Sequence, residues 1–245
     1  MASAKMDPAL KRWALVAQNA SFCTANELKR NKTASKSLYP LAMKTTLSVI
    51  EISAILVFAY SGMMQARKSG FDYIGVLTIA LVTALGGGTL RDVLLGNHPL
   101  YWVAHWEFLI YVLLLSPIAL LLLRLKKDFS SGRALMLIDA LGLGLFTASG
   151  TEIALEMKTS ILPAAFIGVI TATFGGVLRD VLCNEKPQLF QPTEPLYATC
   201  AFAGAWVYIL MLALGLMPTI ALLICIVVTF LFRTLAIVFN LRLPF

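Results

Sequence analysis

The sequence predicts an all-α integral membrane protein. Seven crossing helices form two inverted three-helix repeats plus one helix, with the second and fifth helices broken at glycine motifs. Three observations carry that prediction. Of the 245 residues, 59% are hydrophobic and 13% charged, with a mean hydropathy of +0.81, far from the balance of a soluble domain. Seven apolar stretches approach the roughly 20 residues a helix needs to cross about 30 Å of hydrocarbon. The chain also aligns with itself at an offset of 88 residues.

Taken in order, residues 1–46 differ in kind from the rest. They carry eight Lys or Arg against Asp7 and Glu27 and contain no long apolar run. This reads as a basic extension suited to anionic lipid, with an organellar transit peptide as the alternative; it lacks the apolar centre of a secretory signal. The first repeat, 47–126, contains spans at 47–66, 73–96 and 107–124. The second, 134–217, contains spans at 134–155, 161–183 and 196–217. A seventh helix at 218–239, opened by Pro218, and a short tail complete 218–245. Cys23, Cys183, Cys200 and Cys225 show no metal-ligand spacing and read as small apolar packing residues. The short loops on one side hold Arg67, Lys68, Arg124, Lys126, Lys127, Arg133, Lys186 and Arg242. The positive-inside rule then puts the C-terminus in the cytoplasm and the N-terminus outside, in a cell (inner) membrane, although the basic extension argues the other way.

The repeat organises the molecule. Of the 16 positions 79–94 set against 167–182, ten are identical, including Gly87, Gly88, Arg91 and Asp92 against Gly175, Gly176, Arg179 and Asp180. Phe58, Ser61, Gly62 and Ala66 match Phe146, Ser149, Gly150 and Ala154, Pro99 matches Pro187, and Glu51 faces Asp139. Chance similarity between apolar helices matches Leu and Val, not Arg, Asp and Pro. Three crossings per repeat is an odd number, so the repeats enter the membrane from opposite sides, an arrangement that places a binding site or pore between the halves.

Glycine in a helix interior costs about 1 kcal/mol relative to alanine, so the run Gly86, Gly87, Gly88 and its partner Gly175, Gly176 predict breaks. Freed carbonyls and N–H groups are tolerated at membrane depth only inside protein or beside a wet cavity. Arg91 and Asp92, and again Arg179 and Asp180, follow each glycine run. A charge at the bilayer centre costs roughly 2.5–3.5 kcal/mol on insertion scales, so these four residues need protein or water around them. Adjacent residues point about 100° apart on a helix, which favours pairs across the repeats, Arg91 with Asp180 or Arg179 with Asp92, or links to Glu51 and Asp139. Two roles stay open: lining the path of a permeant species, or clamping the helices.

Glu51 and Asp139 are secondary site candidates because the repeat equates them. Ser61, Ser149, Thr83 and Thr171 either present hydroxyls to a pore or bond back to their own helices. Glu152 and Glu156 read as a solvated helix end, and His98, Trp102, His105 and Trp106 as interfacial anchors. No Cys/His ligand set, Ser-His-Asp order or phosphate-binding loop occurs. No enzyme, cofactor, metal centre or nucleic-acid partner is therefore expected.

The paired GGGTLRD and GGVLRD motifs, one per three-helix repeat and followed by a seventh helix, resemble the prokaryotic branch of the trimeric intracellular cation (TRIC) channels. That bacterial domain is also labelled a glycine transporter domain. The resemblance covers about residues 45–240. It implies a homotrimer with a hydrophilic pathway inside each subunit, bounded by bent second and fifth helices and passing monovalent cations, chiefly potassium. It implies that Gly86, Gly87 and Gly88 with Arg91, and Gly175 and Gly176 with Arg179, shape or gate that pathway. Phe174 departs from the pattern by replacing the first glycine of the second motif. The runner-up is a carrier for a small zwitterion such as glycine, with arginine taking the carboxylate and Asp92 or Asp180 the ammonium.

Overall fold

The structure is a computed structural model that describes residues 41–125, 132–191 and 195–242. Most of the predicted basic extension, Cys23, and the loop with Lys126 and Lys127 lie outside the described residues. Among the described residues there is no strand. The long helices are α1 (Leu41–Lys68), α2 (Tyr73–Leu95), α3 (Glu107–Leu125), α4 (Gly132–Glu156), α5 (Ile161–Leu182), α6 (Ala198–Ala213) and α7 (Pro218–Val238). Among the described residues, five of these helices, α1, α2, α4, α5 and α7, are long and apolar enough to cross a membrane.

The ends follow local chemistry. Asp72 caps α2 by accepting the Gly75 N–H at 2.8 Å, which satisfies one of the donors a helix start leaves open. At the other end Gly96 takes φ 63° and returns its N–H to the last turn, a left-handed conformation that glycine adopts without strain. Pro218 sits in the first turn of α7, where its missing N–H has no helical partner to lose. α1 begins at Leu41, ahead of the predicted 47, and α6 is shorter at both ends than the predicted 196–217.

One correction concerns the glycines. α2 and α5 run as continuous helices through Gly86, Gly87 and Gly88 and through Gly175 and Gly176, so the predicted breaks do not form. The glycines instead let helices touch backbone to backbone. A methyl group on Gly87 would overlap the carbonyl oxygen of Thr171, and one on Gly175 would overlap that of Thr83. These two contacts are reciprocal under the 88-residue offset. So are those of Gly62 with the Thr83 hydroxyl and Gly150 with the Thr171 hydroxyl, each leaving a Cβ only 2.7 Å of room. The repeat-equivalent rings of Phe58 and Phe146 meet each other with centroids 5.2 Å apart. Gly86 is set against the Leu178 side chain, and Gly88 has only the Arg91 guanidinium near it, 3.8 Å from an added Cβ.

The pairing of Gly87 with Thr171 and of Thr83 with Gly175 makes α2 and α5 antiparallel. Extending that register puts Arg179 level with Ile79, about 18 Å along the axis from Arg91 at 1.5 Å per residue. The same level is reached independently through α1, because Gly62 packs on Ile79 and Ala80 while its neighbour Ser61 bonds Arg179. The two arginines therefore flank the helix crossing rather than meeting at it.

Because the obstacle at Gly87 and Gly175 is backbone, Gly87→Ala and Gly175→Ala are each expected to destabilise the detergent-solubilised protein by about 1–3 kcal/mol, the usual effect of overpacking. Gly88→Ala is expected to be neutral or slightly stabilising, since helix propensity improves and nothing stands in the way. Thermal denaturation of the three variants checks this ordering; equal melting temperatures would contradict the close-packing role.

Candidate functional site

The first network joins the N-terminal half of α1 to the last turns of α2. Arg91 donates from Nη1 to Glu51 Oε1 at 2.5 Å and from Nε to Asp92 Oδ1 at 2.9 Å. Asp92 uses its second oxygen to accept the Tyr101 backbone N–H at 2.8 Å, and Asn97 reaches Asp92 Oδ1 at 3.4 Å. The Arg91 guanidinium lies 5.9 Å from the centre of the Tyr101 ring.

The second network repeats the plan between α4 and α5. Arg179 donates from Nη1 to Asp139 Oδ1 at 2.5 Å and from Nε to Asp180 Oδ1 at 2.8 Å. Asp180 Oδ2 accepts the Gln188 backbone N–H at 3.1 Å, and Tyr197 donates to Asp139 Oδ2 at 3.3 Å. Here a residue of the first half joins in. Ser61 on α1 accepts from Arg179 Nη1 at 2.5 Å and donates to Asp139 Oδ1 at 2.6 Å.

All six ionised groups are buried, with Arg91 and Arg179 at 1% and 0% exposure. A buried charge holds its place only when paired and hydrogen-bonded, and here each arginine has two carboxylates. Counted as ionised, each set of three carries one surplus negative charge. The last glycine of each motif lies beside its guanidinium. Arg91 Nη2 faces Gly88, and Arg179 Nη2 faces Gly176 together with the Tyr197 hydroxyl. Arg179 Nη2 has no hydrogen-bond partner.

Two further corrections follow. The exchanges between halves, Arg91 with Asp180 and Arg179 with Asp92, do not form, because the two levels are too far apart. Each arginine does bond its sequence neighbour, since the long side chain folds sideways and offers Nε to the short aspartate while Nη1 reaches the next helix. The predicted links to Glu51 and Asp139 are present in both networks.

Among the remaining candidates, Thr83 and Thr171 bond back to the carbonyls of Ile79 and Ile167, each at 2.6 Å, and also wall the glycine contacts. Ser149 is buried without a hydrogen-bond partner, unlike its repeat mate Ser61. Glu152 is not a solvated end; it is buried and accepts a hydrogen bond from Tyr208 on α6. Trp102 bonds the Thr89 hydroxyl at 3.0 Å while Trp106 is exposed. Cys183, Cys200 and Cys225 are free and buried.

Sequence reasoning missed Arg233 on α7. It is fully buried and donates from Nη1 to the carbonyls of Pro195 at 2.6 Å and Leu196 at 2.8 Å, and from Nη2 to Gln188 Oε1 at 3.4 Å. Its guanidinium lies 4.9 Å from the centre of the Tyr197 ring. The available signal was a lone arginine inside an apolar run.

Comparison with known proteins places this architecture. The family model described as Glycine transporter matches residues 48–124 and 136–213, once in each half. A UPF0126 membrane protein of Vibrio cholerae is 37% identical over 198 residues, covering 81% of this chain and 82% of its own. The UPF0126 inner membrane protein YadS of Escherichia coli is 36% identical over 196 residues, covering 80% and 93%. Among solved structures, a TRIC trimeric intracellular cation channel orthologue from Rhodobacter sphaeroides superposes with a TM-score of 0.75 at 31% identity, over 80% of this chain and 100% of that one. A second TRIC cation channel gives a TM-score of 0.71 at 34% identity, over 81% and 96%. With both halves matched and relatives this similar along most of their length, the chain is an integral membrane protein that belongs to the glycine transporter domain family and to the UPF0126 membrane proteins within its reach, and it shares the fold of the TRIC channels.

Proposed function

We propose that the protein is a passive, potassium-favouring cation channel of the inner membrane, with one pathway inside each subunit of a homotrimer. In this reading seven helices cross the membrane as two inverted three-helix repeats, 47–126 and 134–217, and 218–245 adds the last crossing. The N-terminus lies outside and the C-terminus in the cytoplasm. The observation that carries the reading is the charge balance of the duplicated networks: one arginine faces two carboxylates at each of two levels. A path walled by arginine alone repels cations. A path flanked by a network that keeps its surplus negative charge attracts them, in the manner of acidic rings in cation-selective pores.

The arginines then act as latches. While Arg179 holds Asp139, Asp180 and Ser61 together, α1 is tied to α4 and α5. Opening requires that tie to loosen. The similarity to TRIC channels supports the same reading.

A carrier for a small zwitterion is favoured by one observation, the unfilled Nη2 donor of Arg179 beside Gly176 with carboxylates nearby. That donor suits a carboxylate, and Asp139 or Asp180 suits an ammonium group.

Proteoliposomes carrying the purified protein separate the two. The channel reading expects fast potassium flux that does not saturate, and no uptake of radiolabelled glycine. Saturable glycine entry without potassium flux would overturn it. Arg179→Ala is expected to change potassium flux severalfold with the trimer intact by size-exclusion chromatography; loss of the trimer with unchanged flux would make the networks clamps only.

Ser61→Ala removes the hydroxyl that ties the halves while leaving both ion pairs of Arg179 in place. Flux is expected to rise several-fold, corresponding to roughly 1 kcal/mol of lost closed-state stability at 1.4 kcal/mol per tenfold. Unchanged flux would show that this tie does not hold the path shut.

A further inference from the structure

The two networks match in plan but not in total charge. Around Arg91 the ionised partners are Glu51 and Asp92. Around Arg179 they are Asp139 and Asp180, and a second guanidinium stands behind them. Arg233 lies on the face of the Tyr197 ring, whose hydroxyl bonds Asp139. Among the described residues no carboxylate is bonded to Arg233 itself; its partners there are the two carbonyls and the Gln188 amide oxygen. Its positive charge therefore offsets the surplus of the second network, leaving one level of the path negative and the other close to neutral.

The same bonds fix geometry. Arg233 holds Gln188, Pro195 and Leu196, while the Gln188 N–H and the Tyr197 hydroxyl cover Asp180 and Asp139. α7 has no counterpart in the repeat, and among the described residues no second guanidinium stands behind Arg91.

We propose that Arg233 is a positioning residue that sets the charge of the second network and so makes ion flow depend on direction. This rests on the channel reading above. Cations accumulate at the negative level and not at the neutral one, so flow entering past Arg91 exceeds flow entering past Arg179 at equal and opposite voltage.

The test is single-channel recording of purified wild type, Arg233→Gln and Arg233→Lys in symmetrical potassium chloride. Wild type is expected to rectify severalfold. Arg233→Gln removes the charge but keeps an amide donor for the carbonyls, and is expected to bring the ratio of the two current directions close to one. Arg233→Lys keeps the charge and is expected to rectify as wild type does. Wild-type current without rectification, or rectification unchanged in Arg233→Gln, would overturn the proposal. Equal loss in Gln and Lys would do so as well, by assigning the effect to packing. A wild-type protein passing no potassium would instead remove the channel reading on which the proposal stands.

Discussion

A guanidinium moved from water into an apolar bundle loses several kcal/mol of hydration even after the surroundings relax, and removing the partner of such a buried charge typically destabilises by about 3–5 kcal/mol. Much of this molecule is arranged to meet that requirement twice. The N-terminal halves of α1 and α4 are set against the last turns of α2 and α5 because Glu51 and Asp139 must reach Arg91 and Arg179. The segments after α2 and α5 fold back because the outer oxygens of Asp92 and Asp180 need the N–H groups of Tyr101 and Gln188. The glycine contacts between α2 and α5 then set the spacing that keeps the two charge centres apart.

Much of this was legible in the sequence, for a reason that can be stated. An arginine and an aspartate inside an apolar run have no chance explanation, and their recurrence 88 residues later, with Glu51 and Asp139 in register, marked all six residues as site candidates but left open which of them pair. The long helices followed from the apolar stretches, and α2, α3, α5 and α7 begin where those stretches predicted. The glycines were misread because their two uses look alike on paper. A break needs glycine for its backbone freedom; a helix crossing needs it for the missing side chain. Only the position of the Thr83 and Thr171 carbonyls decides between them.

Other parts were hidden by geometry or by the repeat itself. Tyr101 and Tyr197 both stand beside their networks, each ring near a guanidinium, yet the 88-residue offset does not align them. Arg233 belongs to the helix outside the repeat, and self-comparison is silent about it. Glu152 lies near a helix end and so read as solvated; its burial depends on Tyr208 arriving from α6. In each case the missing information was which helix lies alongside, and apolar faces turned to lipid and to protein carry the same residues.

The account's central claim is that the buried networks favour cations despite their arginines. The reversal potential of the wild-type protein in a planar bilayer, with a tenfold potassium chloride gradient, tests it most directly. A value close to that of a potassium electrode, displaced by about 59 mV for a single charge, is predicted by two carboxylates per arginine. A value near zero, or displaced toward chloride, would mean that the arginines dominate the path, and would contradict the account.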